Sequence, residues 1–258
     1  MHDSKAMNPE KPDTFSKVPE VTLIFWLIKI LATTLGETGG DAVSMSMNLG
    51  YLVGTAIFAV IFIAAVAVQI ATKKFHPVIY WVTIIATTTV GTTLADFADR
   101  SLGIGYAGGT AILLTLLLAS LFIWYRALGS VAVDTVSSPK SEVFYWVTIM
   151  FSQTLGTALG DWTADTAGLG YGGGIVAFGV LLTIIAAAYF WTKIPRTVLF
   201  WAAFILTRPL GAVVGDFLDK PTSDGGLALS RYSASATLIV LIAVGIFCFS
   251  HQPARRGH

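Results

Sequence analysis

The 258-residue chain has one cysteine, Cys248, and no histidine between His76 and His251. A single thiol permits no disulfide within the chain, and without thiolates or imidazoles in its interior a copper or structural zinc site is disfavoured. Charge is scarce too: 12% of residues are Asp, Glu, Lys or Arg, about half the share of a soluble domain. The net charge of +1 leaves no basic stripe, so nucleic acid is excluded as a partner. No P-loop, Ser/His/Asp pattern or HExxH is present, so the chain is not read as an enzyme. The first 20 residues are polar, contain Pro9, Pro12 and Pro19, and lack the form of a cleavable signal peptide.

What the chain does have is long apolar blocks. Hydrophobic residues make up 55% of it, and the mean hydropathy is +0.74. Blocks such as Val53–Ile70 and Ala107–Tyr125 have the length that crosses a ~30 Å hydrocarbon core as a helix. The expectation is an all-α membrane protein with eight transmembrane helices, near 21–43, 49–70, 77–99, 105–126, 143–165, 171–191, 196–219 and 231–250. The lipid bilayer is its first partner.

The helices come in four copies of one hairpin. Trp26, Trp81, Trp146 and Trp201 start the copies. Ten residues after each stands Gly36, Gly91, Gly156 or Gly211, and fifteen after each stands Asp41, Asp96, Asp161 or Asp216. Twenty-five after the first three stands Tyr51, Tyr106 or Tyr171, and the fourth copy reaches Tyr232 after an insertion around "KPTSDG". The copies divide the chain into a disordered tail over 1–20, repeats over 21–75, 76–130, 131–195 (with its preceding loop) and 196–250, and a second tail over 251–258. Two spans per copy make all four insert in the same direction, so the repeats are parallel and pseudo-symmetric about the membrane normal.

Lysines and arginines set the orientation. Lys5, Lys11, Lys17, Lys73, Lys74, Arg126, Lys140, Lys193, Arg196, Arg255 and Arg256 fall on one side, against Arg100, Lys220 and Arg231 on the other. Both termini are therefore expected in the cytoplasm. The Gly-rich turns and the aspartates then lie toward the outside, and the tryptophans near the cytoplasmic interface.

The "WVT…LGT…GD" pattern of Trp146–Asp161 and the "FILTRPLGAVVGDFL" of Phe204–Leu218 resemble bacterial inner-membrane proteins built from domain-of-unknown-function 347 repeats. The resemblance covers the chain apart from its tails. It implies the repeat architecture and a bacterial inner-membrane location, and it supplies no substrate and no catalytic residue.

A site is therefore sought in the helices themselves. At about 100° per residue, positions 7, 11, 15 and 18 after each Trp share one stripe. Position 7 carries Thr33, Thr88, Gln153 and Arg208; position 11 carries Glu37, Thr92, Thr157 and Ala212; position 15 carries the four aspartates. Carboxylates inside a membrane face the bundle interior or water, so the four odd helices are expected to turn these seams toward one another. Beside the seam, Gly36/Gly40, Gly91/Ala95, Gly156/Gly160 and Gly211/Gly215 have the small-xxx-small spacing of closely packed helices. Asp99, Asp165 and Asp219 are read as organising the turns, and Lys29 as snorkelling to the cytoplasmic end. Arg208 needs an acidic partner, for which Glu37 or an aspartate is suited.

Oxygen ligands suit hard cations: a divalent metal or a proton. The leading expectation is a secondary transporter moving, or coupled to, such a cation. Its binding residues are Asp41, Asp96, Asp161, Asp216, Glu37, Thr88, Thr92, Gln153, Thr157 and Arg208, and the four aspartates are the metal ligands. No cofactor is expected beyond a bound divalent cation. Two alternatives stay open: a proton-coupled carrier of an organic solute or anion that uses Arg208, and a non-transporting scaffold subunit. A homo-oligomer is open as well.

Overall fold

A computed structural model describes residues 16–254. Its helices are α1 (Leu23–Asp41), α2 (Gly50–Ala71), α3 (Pro77–Asp96), α4 (Tyr106–Leu128), α5 (Pro139–Asp161), α6 (Gly170–Trp191), α7 (Arg196–Asp219) and α8 (Arg231–Cys248). Among the described residues there is no strand, only an isolated bridge between Pro19 and Pro253. Local chemistry sets the helix ends. The Thr22 hydroxyl accepts from the Phe25 N–H at the start of α1. Pro77 and Pro139 occupy first turns, where a missing N–H removes no helix bond. Ser138 and Ser141 form a capping box, so α5 begins four residues before the expected 143. Single π-helical turns, Ala42–Ser46, Phe97–Ser101 and Trp162–Thr166, follow the aspartates of α1, α3 and α5.

The odd helices form a closed ring: α1 packs on α3, α3 on α5, α5 on α7, and α7 on α1. The even helices form a jacket. Each covers the odd helix of the next copy, α2 on α3, α4 on α5 and α6 on α7, while α8 closes the circle on α1. The large side chains of the jacket, such as Phe122, Phe190 and Trp191, are exposed, as lipid contact requires. Among the described residues, seven helices are long and apolar enough to cross a membrane by length and composition. The remaining one is α5, a ring helix of 23 residues carrying Lys140, Glu142, Ser152 and Gln153. Glu142, Ser152 and Gln153 are buried in protein, so the helix needs little lipid-facing hydrophobicity.

Glycines set the ring spacing. A Cβ at Gly36 would lie 2.1 Å from Thr88 Oγ1, at Gly91 3.0 Å from Gln153 Cβ, at Gly156 2.1 Å from Arg208 Cγ, and at Gly211 2.2 Å from Thr33 Oγ1. In every case the position-10 glycine of one helix receives the position-7 side chain of the next. One turn on, Gly40 receives Thr92, Gly160 receives Ala212 and Gly215 receives Glu37. The small-residue stripe is thus the groove into which the neighbouring polar seam packs.

The tryptophan end of the ring is filled with aromatic rings. Trp81, Trp146 and Trp201 are buried and Trp26 is half-buried, so three of the four indoles turn into the protein and not toward lipid. Before them in sequence stand Phe25, Tyr80, Tyr145 and Phe200, all buried. The Tyr80 and Tyr145 hydroxyls meet at 2.7 Å, and Phe25 faces Phe200 at 6.3 Å. Residues 129–138, which lengthen the third copy, cross this end: the Val131 carbonyl accepts from Trp201 Nε1 at 2.9 Å. Ser16 and Lys17 are buried against the same segment. Lys17 pairs with Glu142 at 2.6 Å, and the Ala254 N–H donates to the Val18 carbonyl. Residues 16–20 are therefore folded and do not belong to a disordered tail. The expectations for residues 1–15 and 255–258, with Lys5, Lys11, Arg255 and Arg256, lie outside the described residues.

Candidate functional site

Position 11 forms a layer across the ring interior. Arg208 leaves α7 one turn before this layer and is fully buried. Its Nη2 donates to Glu37 Oε2 on α1 at 3.0 Å, to Thr92 Oγ1 on α3 at 2.5 Å, and to Thr157 Oγ1 on α5. One guanidinium thus touches the other three ring helices, all at position 11. The fourth position-11 residue, Ala212, is buried and packs against Gly160. Thr92 also donates to Glu37 Oε2 at 3.3 Å. The Thr92 and Thr157 hydroxyls add hydrogen bonds to the pair on its Nη2 side, which offset part of the cost of burying it.

The aspartates form the next layer. Glu37 is common to two carboxylate groups, one with Asp41 and Asp96 and one with Asp161 and Asp216. In each group the oxygens lie within 4.8 Å of one another. All five acids are buried. Asp41 Oδ1 and Asp96 Oδ2 have no hydrogen-bond partner among the described residues.

Two cations cap this layer with an approximate two-fold pattern. Arg100 reaches Asp96 at 2.9 Å and Asp161 at 3.2 Å, tying α3 to α5. Lys220 reaches Asp41 at 2.5 Å and Asp216 at 3.1 Å, tying α7 to α1. Both stand nineteen residues after their tryptophans. Sequence reasoning had used them only as markers of orientation, yet their common register was a legible signal. Arg231 adds an ion pair to Asp219 at 2.8 Å. Asp165 accepts from the Tyr106 hydroxyl at 3.3 Å, and Asp99 packs against Gly109 at the start of α4. Asp99 and Asp165 therefore sit at the turns, whereas Asp219, the last residue of α7, also shares a carboxylate group with Asp41 and Asp216.

The remaining candidates divide. Thr88 spends its hydroxyl on the Ala32 and Ile85 carbonyls at 3.1 Å and joins α3 to α1. It is a packing residue of the ring. Gln153 is fully buried, and both of its amide atoms lack partners among the described residues. Lys29 does not snorkel. It is fully buried, its Nζ lies 4.1 Å from the centre of the Phe204 ring, and it has no hydrogen-bond partner among the described residues.

A family model described as a Repeat of Unknown Function (DUF347) matches the chain four times, over residues 24–75, 79–129, 144–194 and 199–252. No curated protein and no solved structure matches it.

Proposed function

The chain belongs to the family of the Repeat of Unknown Function (DUF347), and we propose that it is a secondary membrane transporter that moves, or couples to, a hard cation. The observation that carries this reading is the charge in the ring interior. In the Glu37 and aspartate layers six carboxylates, Asp41, Asp96, Asp161, Asp216, Asp219 and Glu37, face four cations, Arg100, Lys220, Arg231 and Arg208. Two negative charges remain, the complement of one divalent cation or two protons. The donors are oxygens without imidazole or thiolate, which suits Mg²⁺, Mn²⁺, Ca²⁺ or H⁺.

The aspartates are the metal ligands in this reading, with Glu37 shared between their two groups. Arg100 and Lys220 act as internal counter-ions that an entering cation displaces. Thr92 and Thr157 hold Arg208, which limits the charge of the layer. With the lysines and arginines inside, the aspartate end opens outward and the termini lie in the cytoplasm of a bacterial inner membrane. The aromatic layer then closes the cytoplasmic end, so transport requires that layer to open.

Flux into liposomes of stated orientation tests the reading. Uptake of Mn²⁺ or Mg²⁺, lost in Asp161→Asn, supports it. Uptake of organic acids without divalent flux would favour a proton-coupled solute carrier. Absence of any flux, with loss of stability in the same variant, would favour a scaffold.

A further inference from the structure

On the tryptophan side of the Glu37 layer the ring interior changes sign. Lys29 and Arg208 are both fully buried there. Lys29 Nζ lies against Phe204 of α7, one helical turn before Arg208 on the same helix. Position 3 of the other ring helices carries Ile84, Ile149 and Phe204, all buried, so no acid shares the Lys29 level. The acid of Arg208 is taken up by Nη2 alone, and its Nε and Nη1 have no partner among the described residues. Gln153 leaves α5 from the register position that Arg208 holds on α7, and its stem packs on Gly91 as that of Arg208 packs on Gly156. Its amide head is buried and without a partner among the described residues, at the register from which Arg208 enters the ring interior. A buried ammonium with neither an opposite charge nor a hydrogen-bond partner is strongly unfavourable, and the one acid near Arg208, Glu37, is already paired with it.

We propose that Lys29, Arg208 and Gln153 form an internal binding site for a small monovalent anion, a halide or a short carboxylate. The ammonium and an unpartnered N–H of Arg208, at Nε or Nη1, supply charge-assisted donors, and the Gln153 amide supplies a neutral one. Phe204 bounds the site on one side. The Glu37 pair separates it from the aspartate layer, so the ring holds an anion site and a cation site in series. The anion site does not depend on the transport reading, because binding at constant cation concentration measures it alone.

The test uses the full chain in lipid nanodiscs. Sodium chloride and sodium acetate are titrated against sodium gluconate, an anion too large for a packed interior, at constant sodium and ionic strength. Calorimetry and the unfolding temperature are the readouts. The wild type is expected to bind chloride or acetate saturably and to unfold at higher temperature with it; the tighter of the two defines a halide or a carboxylate site. Lys29→Met should weaken binding about a hundredfold, as truncating one partner of a buried charge pair does, and should unfold at higher temperature than the anion-free wild type. Lys29→Arg should retain binding and Gln153→Leu should weaken it, which keeps the proposal testable if Lys29→Met fails to fold. Asp161→Asn should leave the anion response in place. No saturable anion effect in the wild type would overturn the proposal, and so would equal affinity in wild type and Lys29→Met. Loss in Asp161→Asn with retention in Lys29→Met would overturn it too, assigning the effect to the aspartate layer.

Discussion

Arg208 on α7 reaches Glu37 on α1 at 3.0 Å across the ring interior, and both side chains are buried. The pair holds two helices that lie 171 residues apart in sequence. Replacing Arg208 by Met keeps most of the stem and leaves Glu37 without its cation. The expected loss is about 3–5 kcal/mol, as for other broken buried pairs. Adding Glu37→Gln should return part of it, and a double-mutant cycle by denaturant unfolding measures the coupling. Equal loss in the single and double variants would show that the two residues do not interact.

Gly156 is the groove for the Arg208 stem. An added Cβ would lie 2.1 Å from Arg208 Cγ and 3.1 Å from Pro209 Cδ. Gly156→Ala should therefore destabilise the protein by about 1–3 kcal/mol, the usual range for overpacking. Gly172 on α6 has nothing within 4 Å of the same added atom, so Gly172→Ala should be neutral or stabilising by up to about 1 kcal/mol. Thermal unfolding of the two variants side by side checks the contrast.

Lys220 lies between Asp41 and Asp216 as a resident cation. If it competes with an entering ion, Lys220→Met should tighten Mn²⁺ binding by about tenfold, or about 1.4 kcal/mol. The equivalent change at Arg100 should do the same at Asp96 and Asp161. Weaker Mn²⁺ binding in both variants would mean that the cations position the carboxylates and do not compete.

The Tyr80 and Tyr145 hydroxyls meet at 2.7 Å inside the aromatic layer. Either single change to Phe leaves the other hydroxyl buried and unpaired, at a cost of about 1–3 kcal/mol. The double change should recover much of this loss, because Phe25 and Phe200 occupy the same register on α1 and α7 without hydroxyls. Unfolding of all three variants gives the answer.

The fold was legible because one register runs through four copies. Trp, Gly and Asp at fixed spacing placed the seam, the glycine groove and the ring of odd helices. The Arg208–Glu37 pair was legible from the breaks in that symmetry. The partner of each even helix was not. A short turn joins α1 to α2, but nothing in either apolar surface says that α2 covers α3. Lys29 was misread because snorkelling belongs to a side chain that faces lipid, and Lys29 lies on the inward face of α1, where it is fully buried. Arg100 and Lys220 were treated as loop charges because they follow the last apolar turn. The π-helical turn after Asp96 and the extra length of α7 keep them in the layer.

The central claim is that the buried acids bind a hard cation. Mn²⁺ titration of the purified protein, with bound metal read by electron paramagnetic resonance and released protons by a pH indicator, tests it most directly. The account predicts saturable binding accompanied by proton release, since a cation entering crowded carboxylates displaces protons. It further predicts that Asp96→Asn and Asp161→Asn each weaken binding by about tenfold or more. Unchanged binding in both variants, or no binding in the wild type, would contradict it.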